Sequence, residues 1–323
     1  MQNKKSTLTE SENLLLTASK DKKIAVIYGG VSNERAVSIA SKNSICEVFA
    51  QLKIPYQEFE LNKDIAENLV KCDINLVINA IHGKYGEDGR LPAMLDILQI
   101  PYTHSDFFAS NIAMNKLLSK QYIGQIKASL PNFKLPKYVL IENINQRVDS
   151  SLLTKPFILK PVSEGSSIGV KLYLKPEECS LQPEDFKYGP ILLEEYIEGQ
   201  EINVAVINNK SVGVAEVKTT ASFYDYQAKY SSSKTEYIFE PKLSDDLLKK
   251  ILLCAENIHN FFKCNYLSRS EFIIKGEDIY FLELNTHPGF TKTSLIPKIA
   301  KGQNIDFSGI LAGLIDNAQH NVN

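Results

Sequence analysis

Between Lys22 and Leu98, short apolar runs alternate with stretches of helical period. "KKIAVIYGG" (Lys22–Gly30) reads as a buried strand that ends in two glycines. "NERAVSIASKNSICEVFAQL" follows, with apolar residues at helical spacing. "YQEFEL", "INLVINAI" and a helix near Leu91–Leu98 repeat the pattern. Parallel neighbours need a crossover, so this order builds a parallel sheet covered by helices. An α/β unit is expected over residues 21–113.

The pattern then changes. A helix is expected over Ala113–Tyr122, and "KYVLI", "PFILKPV", "GVKLYL" and "ILLEEYI" follow as strands with short connections. That is an α+β arrangement with an antiparallel sheet, placed at residues 114–200. Residues 201–323 form a third unit. It holds a hairpin in "INVAVINNKSVGVAEV", a helix over Leu243–Phe262, a hairpin over Arg269–Leu284 and a last helix near Ile305–Asn317. Between them, "SFYDYQAKYSSSK" lies in a turn-rich stretch, and its aromatics argue for an ordered lid loop, placed at 218–240. Residues 1–20 have one apolar block, Leu14–Leu16, too short for a signal-peptide core, and read as a disordered polar tail.

Charge excludes some functions. Basic and acidic residues number 36 and 38, so no nucleic-acid partner is implied. No apolar run reaches membrane-spanning length. Five cysteines at irregular spacing, with no CxxC, point to reduced thiols and a cytoplasmic protein.

The chemistry concentrates in "SEFIIKGEDIYFLELN". A three-residue loop centred on Glu277 puts Glu271 directly opposite Glu283, on one face, with Asn285 two residues on. Two carboxylates about 5 Å apart repel by roughly 3 kcal/mol at an effective dielectric near 20. A divalent cation removes that conflict, and three hard oxygen donors suit Mg²⁺. An amphipathic hairpin with its acids in water satisfies the same pattern. "KPFILKPVSEGSSIGV" carries Lys160 on a strand before a Gly/Ser loop, Glu164–Gly169, whose N–H groups are able to ring phosphate oxygens. The loop is not a Walker P-loop, since no GK[ST] follows, and a plain turn between strands fits it equally.

Eight segments occur in a telling order. They are "GGVSNERAVS", "HGKYGEDG", "MNK", "KPVSEGSSIGV", "LLEEYIEGQE", "FYDYQAKY", "SRSEF" and "LELNTHPGFTKTSL". Together they resemble the D-alanine–D-alanine ligases of the ATP-grasp superfamily, from Lys22 to the last helix. The resemblance implies an ATP-grasp fold with an N-terminal Rossmann-like parallel-sheet domain. It implies ATP-dependent ligation of two D-alanines through an acyl phosphate, for peptidoglycan synthesis, by a cytoplasmic homodimer. Glu271, Glu283 and Asn285 match the ligands of Mg²⁺ or Mn²⁺, with two ions. Lys116, Lys160 and Lys229 match lysines on the ATP phosphates, with the Ser166–Ser167 turn covering them. Glu194, Glu195, Tyr196 and Ile197 resemble the adenine hinge, and Glu201 the ribose ligand. Glu34 matches the group that takes the first D-alanine's ammonium, with His82 beside it, and Tyr224 lies with the substrate. Ser166 and Tyr230 match the partners that link the closed lid to Glu34. Arg269 and Gly289 match the stabilisers of the tetrahedral oxyanion. Ser294 and the N–H of Leu295 match the second carboxylate's site.

Four positions depart from the family pattern: Glu271 for the usual Asp, Asn115 for Asp, Ser268 for a smaller residue, and His287, expected to point outward. Two other functions stay in view, a D-alanine–D-lactate ligase and a binding protein that has lost catalysis. The intact "YDYQAKY" favours D-alanine over D-lactate.

Overall fold

The computed structural model describes residues 8–146, 154–219 and 235–320. Backbone contacts divide the chain into two compact units. One comprises Met1–Phe107, Cys264–Leu267 and His287–Asn323, and the other Phe108–Lys263 and Ser268–Thr286. The units expected at 114–200 and 201–323 therefore share the second body, except that the C-terminal stretch joins the first.

The first unit contains the parallel sheet read from the sequence. Strands β1 (Ile24–Tyr28), β2 (Tyr56–Glu60) and β3 (Leu76–Asn79) lie in the order β2-β1-β3, all parallel. Apart from Tyr28 and Asn79 at their ends, β1 and β3 are buried and aliphatic, because both faces of a parallel sheet are covered. Helix α2 (Arg35–Leu52) buries Ile45, Val48 and Phe49, but its first turns bury Ser38 and Ser41 instead. Helices α3 (Ile65–Lys71) and α4 (Arg90–Ile97) complete the alternation.

Within the polar tail expected over residues 1–20, the described part contains a helix, α1 (Glu10–Ala18). A reciprocal capping box starts it: Glu12 N–H donates to Thr9 Oγ1 at 3.2 Å, and Thr9 N–H donates to Glu12 Oε2 at 2.7 Å. Leu15 is completely buried. α1 packs on the last helix, whose Gly309 leaves room for the Ser11 hydroxyl. A buried leucine and a satisfied cap outweigh the polar composition that suggested a tail.

The second unit has two sheets. β5 (Tyr138–Ile141), β6 (Phe157–Pro161), β7 (Lys171–Tyr173) and β8 (Ile191–Glu195) form an antiparallel sheet in the order β5-β8-β6-β7. The other sheet runs β11-β10-β9-β12-β13-β4. It contains β4 (Phe133–Lys134), β9 (Gln200–Ile207), β10 (Lys210–Thr219), β11 (Thr235–Ile238), β12 (Leu267–Lys275) and β13 (Asp278–Asn285). The described ends of the expected lid loop are thus strands, paired antiparallel from Thr219↔Thr235.

The expected helix over Ala113–Tyr122 is two helices, α5 (Phe107–Met114) and α6 (Lys116–Ile123). Asn115 separates them. Its extended backbone stops α5, and its side chain accepts from Leu118 N–H to cap α6. Helix α7 (Asp245–Phe261) is capped by Ser244 and has two aspartates in its first turn, where the helix dipole favours them. Short α8 (Leu295–Ala300) and α9 (Phe307–Asp316) close the chain. The five cysteines form no disulfide.

Candidate active site

The β12–β13 hairpin sets Glu271 against Glu283, as the sequence suggests, but by a different route. Lys275 pairs with Asp278, so the turn is the two residues Gly276 and Glu277. Phe272 then pairs with Phe281, and Glu271 with Glu283, which leaves Leu282 as an extra bulge residue. The expected three-residue loop is replaced by a tighter turn plus a bulge, and the two changes cancel in the register. Arg269 pairs with Asn285 two residues further along. Arg269, Glu271, Glu283 and Asn285 therefore occupy one face. Arg269 donates through Nη2 to Glu271 Oε1, and Lys116 Nζ lies 3.8 Å from Glu283 Oε2. Two carboxylates and a carboxamide, flanked by cations and partly withdrawn from water, fit a hard divalent ion.

Lys116 opens α6 and reaches two places at once. Its Nζ donates to the carbonyl of Glu164 at 2.5 Å, so it bridges the Gly/Ser loop and the acidic hairpin face. In that loop Ser166 and Ser167 have φ of +50° and +58°. Left-handed backbone at two successive non-glycine residues costs of order 1–3 kcal/mol each. Successive N–H groups turned in this way make a concavity for anionic oxygens.

A buried charge cluster lies between β6 and β8. Lys160 Nζ donates to Glu194 Oε1 at 2.7 Å, and Lys120 Nζ forms an ion pair with Glu194 Oε2 at 2.9 Å. Burial works against the charged form of all three. It wins at Lys120, which is held below the ordinary lysine range. At Lys160 the Glu194 carboxylate outweighs burial and raises the pKa, and at Glu194 the two ammonium groups outweigh it and lower the pKa. The buried carboxylate and the two lysines each compensate the others' desolvation, so none of the three sits in the interior without a partner. After Glu195 the chain leaves the sheet. The N–H groups of Glu195 and Tyr196 donate to the carbonyls of Lys137 and Pro156, which anchors the segment expected to be the hinge. Ile197 is buried and Glu201 lies on β9. Gly199 packs against the carbonyl of Ile274, with no room for a Cβ.

The first unit supplies the other candidates. Glu34 stands at the N-cap position of α2 without a side-chain capping bond and is 6% exposed. Gly83, with φ +68°, runs so close that an added Cβ would meet Glu34 Oε2 at 2.8 Å. His82 is buried, and both its ring nitrogens are engaged, Nδ1 by Glu87 at 2.8 Å and Nε2 by Ser41 at 2.9 Å. The two contacts fix the ring's orientation from both sides. His82 is therefore held in place, and the next residue, Gly83, is the one that runs close to Glu34. His287, expected to point outward, is buried, stacked on His104 at 3.8 Å and edge-on to His82 at 5.2 Å. Burial first, then the neighbouring histidines, hold His287 well below the usual histidine pKa. Ser294 precedes α8, and its Oγ lies 2.8 Å from Thr291 Oγ1 and accepts from Thr291 N–H at 3.0 Å. Gly289 lies beside it, its Cβ position 3.3 Å from Ser294 Oγ. Leu295 begins a helix of only six residues.

The family model for the D-ala D-ala ligase C-terminus matches residues 132–316. The chain belongs to the D-alanine–D-alanine ligase family. A D-alanine–D-alanine ligase of Rickettsia felis is 34% identical over 312 residues, which is 95% of each chain. Among solved structures, the D-alanine–D-alanine ligase of Bacillus anthracis complexed with ATP is similar, with a TM-score of 0.77 and 26% identity, over 92% of this chain and 97% of that one. The VanG D-Ala:D-Ser ligase of Enterococcus faecalis also has a TM-score of 0.77 and 26% identity, over 92% of this chain and 99% of that one.

In this ligase-family chain the second unit carries Lys116, Lys160, Ser166, Ser167, Glu194, Glu201, Arg269, Glu271, Glu283 and Asn285, and the first carries Glu34, His82, Gly289, Ser294 and Leu295. Tyr224, Lys229 and Tyr230 lie outside the described residues. Sequence reasoning passed over Lys120, Ser41, Glu87 and His104. Glu87 stands inside the quoted "HGKYGEDG", and Lys120 is one helical turn after Lys116, so both had a signal. Ser41 and His104 had none, because nothing local marks a polar residue as buried.

Proposed function

We propose that the chain joins two D-alanines into D-alanyl-D-alanine at the expense of ATP, for peptidoglycan precursor synthesis. Family membership supports the reaction, and the single observation that carries the residue roles is the Glu271–Glu283 pairing beside Arg269 and Asn285. Glu34 takes the ammonium of the first D-alanine through its carboxylate. One carboxylate oxygen of that D-alanine attacks the γ-phosphorus of ATP, and ADP leaves. The acyl phosphate makes a good leaving group of what was a carboxylate oxygen. The amine of the second D-alanine then attacks the acyl carbon, loses a proton, and inorganic phosphate departs with its bonding electrons.

Lys116, Lys160 and the Ser166–Ser167 turn hold the phosphates, and Lys229 from the lid joins them. Glu194 through Ile197 and Glu201 receive the adenine and ribose. Arg269 and Gly289 steady the oxyanion of the tetrahedral intermediate. Ser294 and the N–H of Leu295 take the second carboxylate. Tyr224 lines the substrate side, and Tyr230 with Ser166 ties the closed lid to Glu34. Glu271, Glu283 and Asn285 would hold Mg²⁺ or Mn²⁺, two ions in all, and the metal would supply positive charge to the transferring phosphoryl group. The first unit acts as the substrate-binding domain and the second as the two ATP-grasp subdomains. Among the described residues no helix is long and apolar enough to cross a membrane. A cytoplasmic homodimer fits this reading, and light scattering at working concentration tests the dimer.

The decisive assay supplies ATP and Mg²⁺ with D-alanine, L-alanine, D-alanine plus D-lactate, or D-alanine plus D-serine, and identifies products by mass. D-alanyl-D-alanine as the main product at neutral pH supports the reading. Depsipeptide would point to the lactate reaction. D-alanyl-D-serine would point to the activity named for the VanG neighbour. No D-alanine-dependent phosphate release would leave a binding protein.

A further inference from the structure

Lys120 is a buried cation to which the roles above give no task. It lies one helical turn after Lys116 on α6 and is 1% exposed. Its Nζ sits 2.9 Å from Glu194 Oε2 and 3.4 Å from the carbonyl oxygens of both Phe281 and Leu282. These are the carbonyls of the bulge, where Leu282 drops out of the pairing between Phe272↔Phe281 and Glu271↔Glu283. A bulge interrupts the ladder, and buried carbonyls displaced from it need another donor.

Serving as counter-ion to Glu194 explains only part of this arrangement. Lys160 already contacts Glu194 through Oε1 at 2.7 Å. The two carbonyl contacts are on the acidic hairpin, and their position bears directly on register. If the pairing of Phe272 with Phe281 simply continued, Glu271 would meet Leu282, and Glu283 would turn to the opposite face.

We propose that Lys120 is a positioning residue for the metal-binding hairpin: anchored by Glu194, its ammonium holds the Phe281 and Leu282 carbonyls and so keeps Glu283 opposite Glu271. The role rests on the assignment of Glu271, Glu283 and Asn285 as metal ligands. It needs no contact between Lys120 and either the ion or the nucleotide.

The test is Lys120→Met in the full chain, checked for folding by circular dichroism. Free Mn²⁺ is titrated against the protein–ADP complex and followed by electron paramagnetic resonance. ADP binding without metal, in chelator, is measured by calorimetry. The expected result is a loss of Mn²⁺ affinity of fivefold or more that exceeds any loss of metal-free ADP affinity. A smaller change in Mn²⁺ affinity in the folded variant, or an equal loss of both affinities, overturns the role. A purely structural contribution would lower the melting temperature and leave the Mn²⁺ affinity of the folded protein unmoved. Should Lys120→Met not fold, Lys120→Gln, which keeps a polar N–H donor, carries the same thresholds. Glu283→Gln in the same titration separates the two levels. Unchanged Mn²⁺ affinity there defeats the ligand assignment itself. Weakened affinity there, with Lys120→Met below threshold, defeats only the role of Lys120.

Discussion

At the scale of single residues, neighbouring charges decide what each side chain is able to do. Glu271 and Glu283 are tolerable opposite each other because Arg269 and Lys116 stand beside them. Replacing Glu283 with Gln keeps the shape and removes a charge. Dipeptide formation in Mg²⁺ should fall by roughly 10²-fold or more, the scale of losing one group that stabilises transition-state charge. The circular dichroism spectrum should not change. Near-normal turnover would refute the assignment. Ser41 acts at one remove, since its hydroxyl is the partner of His82 Nε2. Ser41→Ala leaves that buried nitrogen without its donor, at a cost of about 1–3 kcal/mol. Urea unfolding should show the loss, and the KM for D-alanine should rise if His82 sets the path of Gly83 beside Glu34.

Elements show how local chemistry is overruled or confirmed by packing. The α1 capping box, Thr9 with Glu12, is written in the sequence, yet polar composition hides it. What makes α1 part of the fold is Leu15, which is fully buried. Leu15→Ala should cost about 2–5 kcal/mol in the stability of the unit that holds it, read as a lower denaturant midpoint. Catalysis well below the transition should survive, because no proposed site residue lies on α1. The β12–β13 hairpin teaches the converse. Its register agrees with the sequence reading, but through a tight turn and a bulge that together mimic a looser loop. Alternation alone does not distinguish the two routes. Asn115 is a third case: a residue in a helical stretch that ends one helix and caps the next.

For the molecule as a whole, buried histidines link stability to pH. Burial, then the field of His82, lowers the His104 pKa to about 3, and burial lowers that of His259 to about 4. Both are near 6.5 once unfolded. Above 6.5 neither form is protonated and the two groups do not make stability depend on pH. As pH falls below 6.5 the unfolded chain takes up protons that the folded chain refuses, so stability declines. The decline from His259 levels off near pH 4 and that from His104 near pH 3. Between pH 6 and 4.5 the pair should approach a slope of about 2.7 kcal/mol per pH unit. Equilibrium unfolding over that range measures it together with the same-signed contribution of His287, and His259→Gln should remove at most about 1.4 kcal/mol per pH unit. An unchanged slope in that variant would show that other groups carry the acid sensitivity.

The sequence by itself determined the alternating α/β start, the antiparallel sheet within residues 114–200, the two later hairpins, the order of the family's segments and the identity of most proposed site residues. Apolar period and short motifs are local, and local order survives in a one-dimensional reading. The tertiary structure alone decided that α1 is docked, that His287 turns inward onto His104, and that His82 is held between Ser41 and Glu87. It also decided that Lys120 sits under a bulge from which it is separated by some 160 residues of chain. Burial and long-range pairing depend on which distant residues arrive at the same place, and no window of neighbouring residues contains that information.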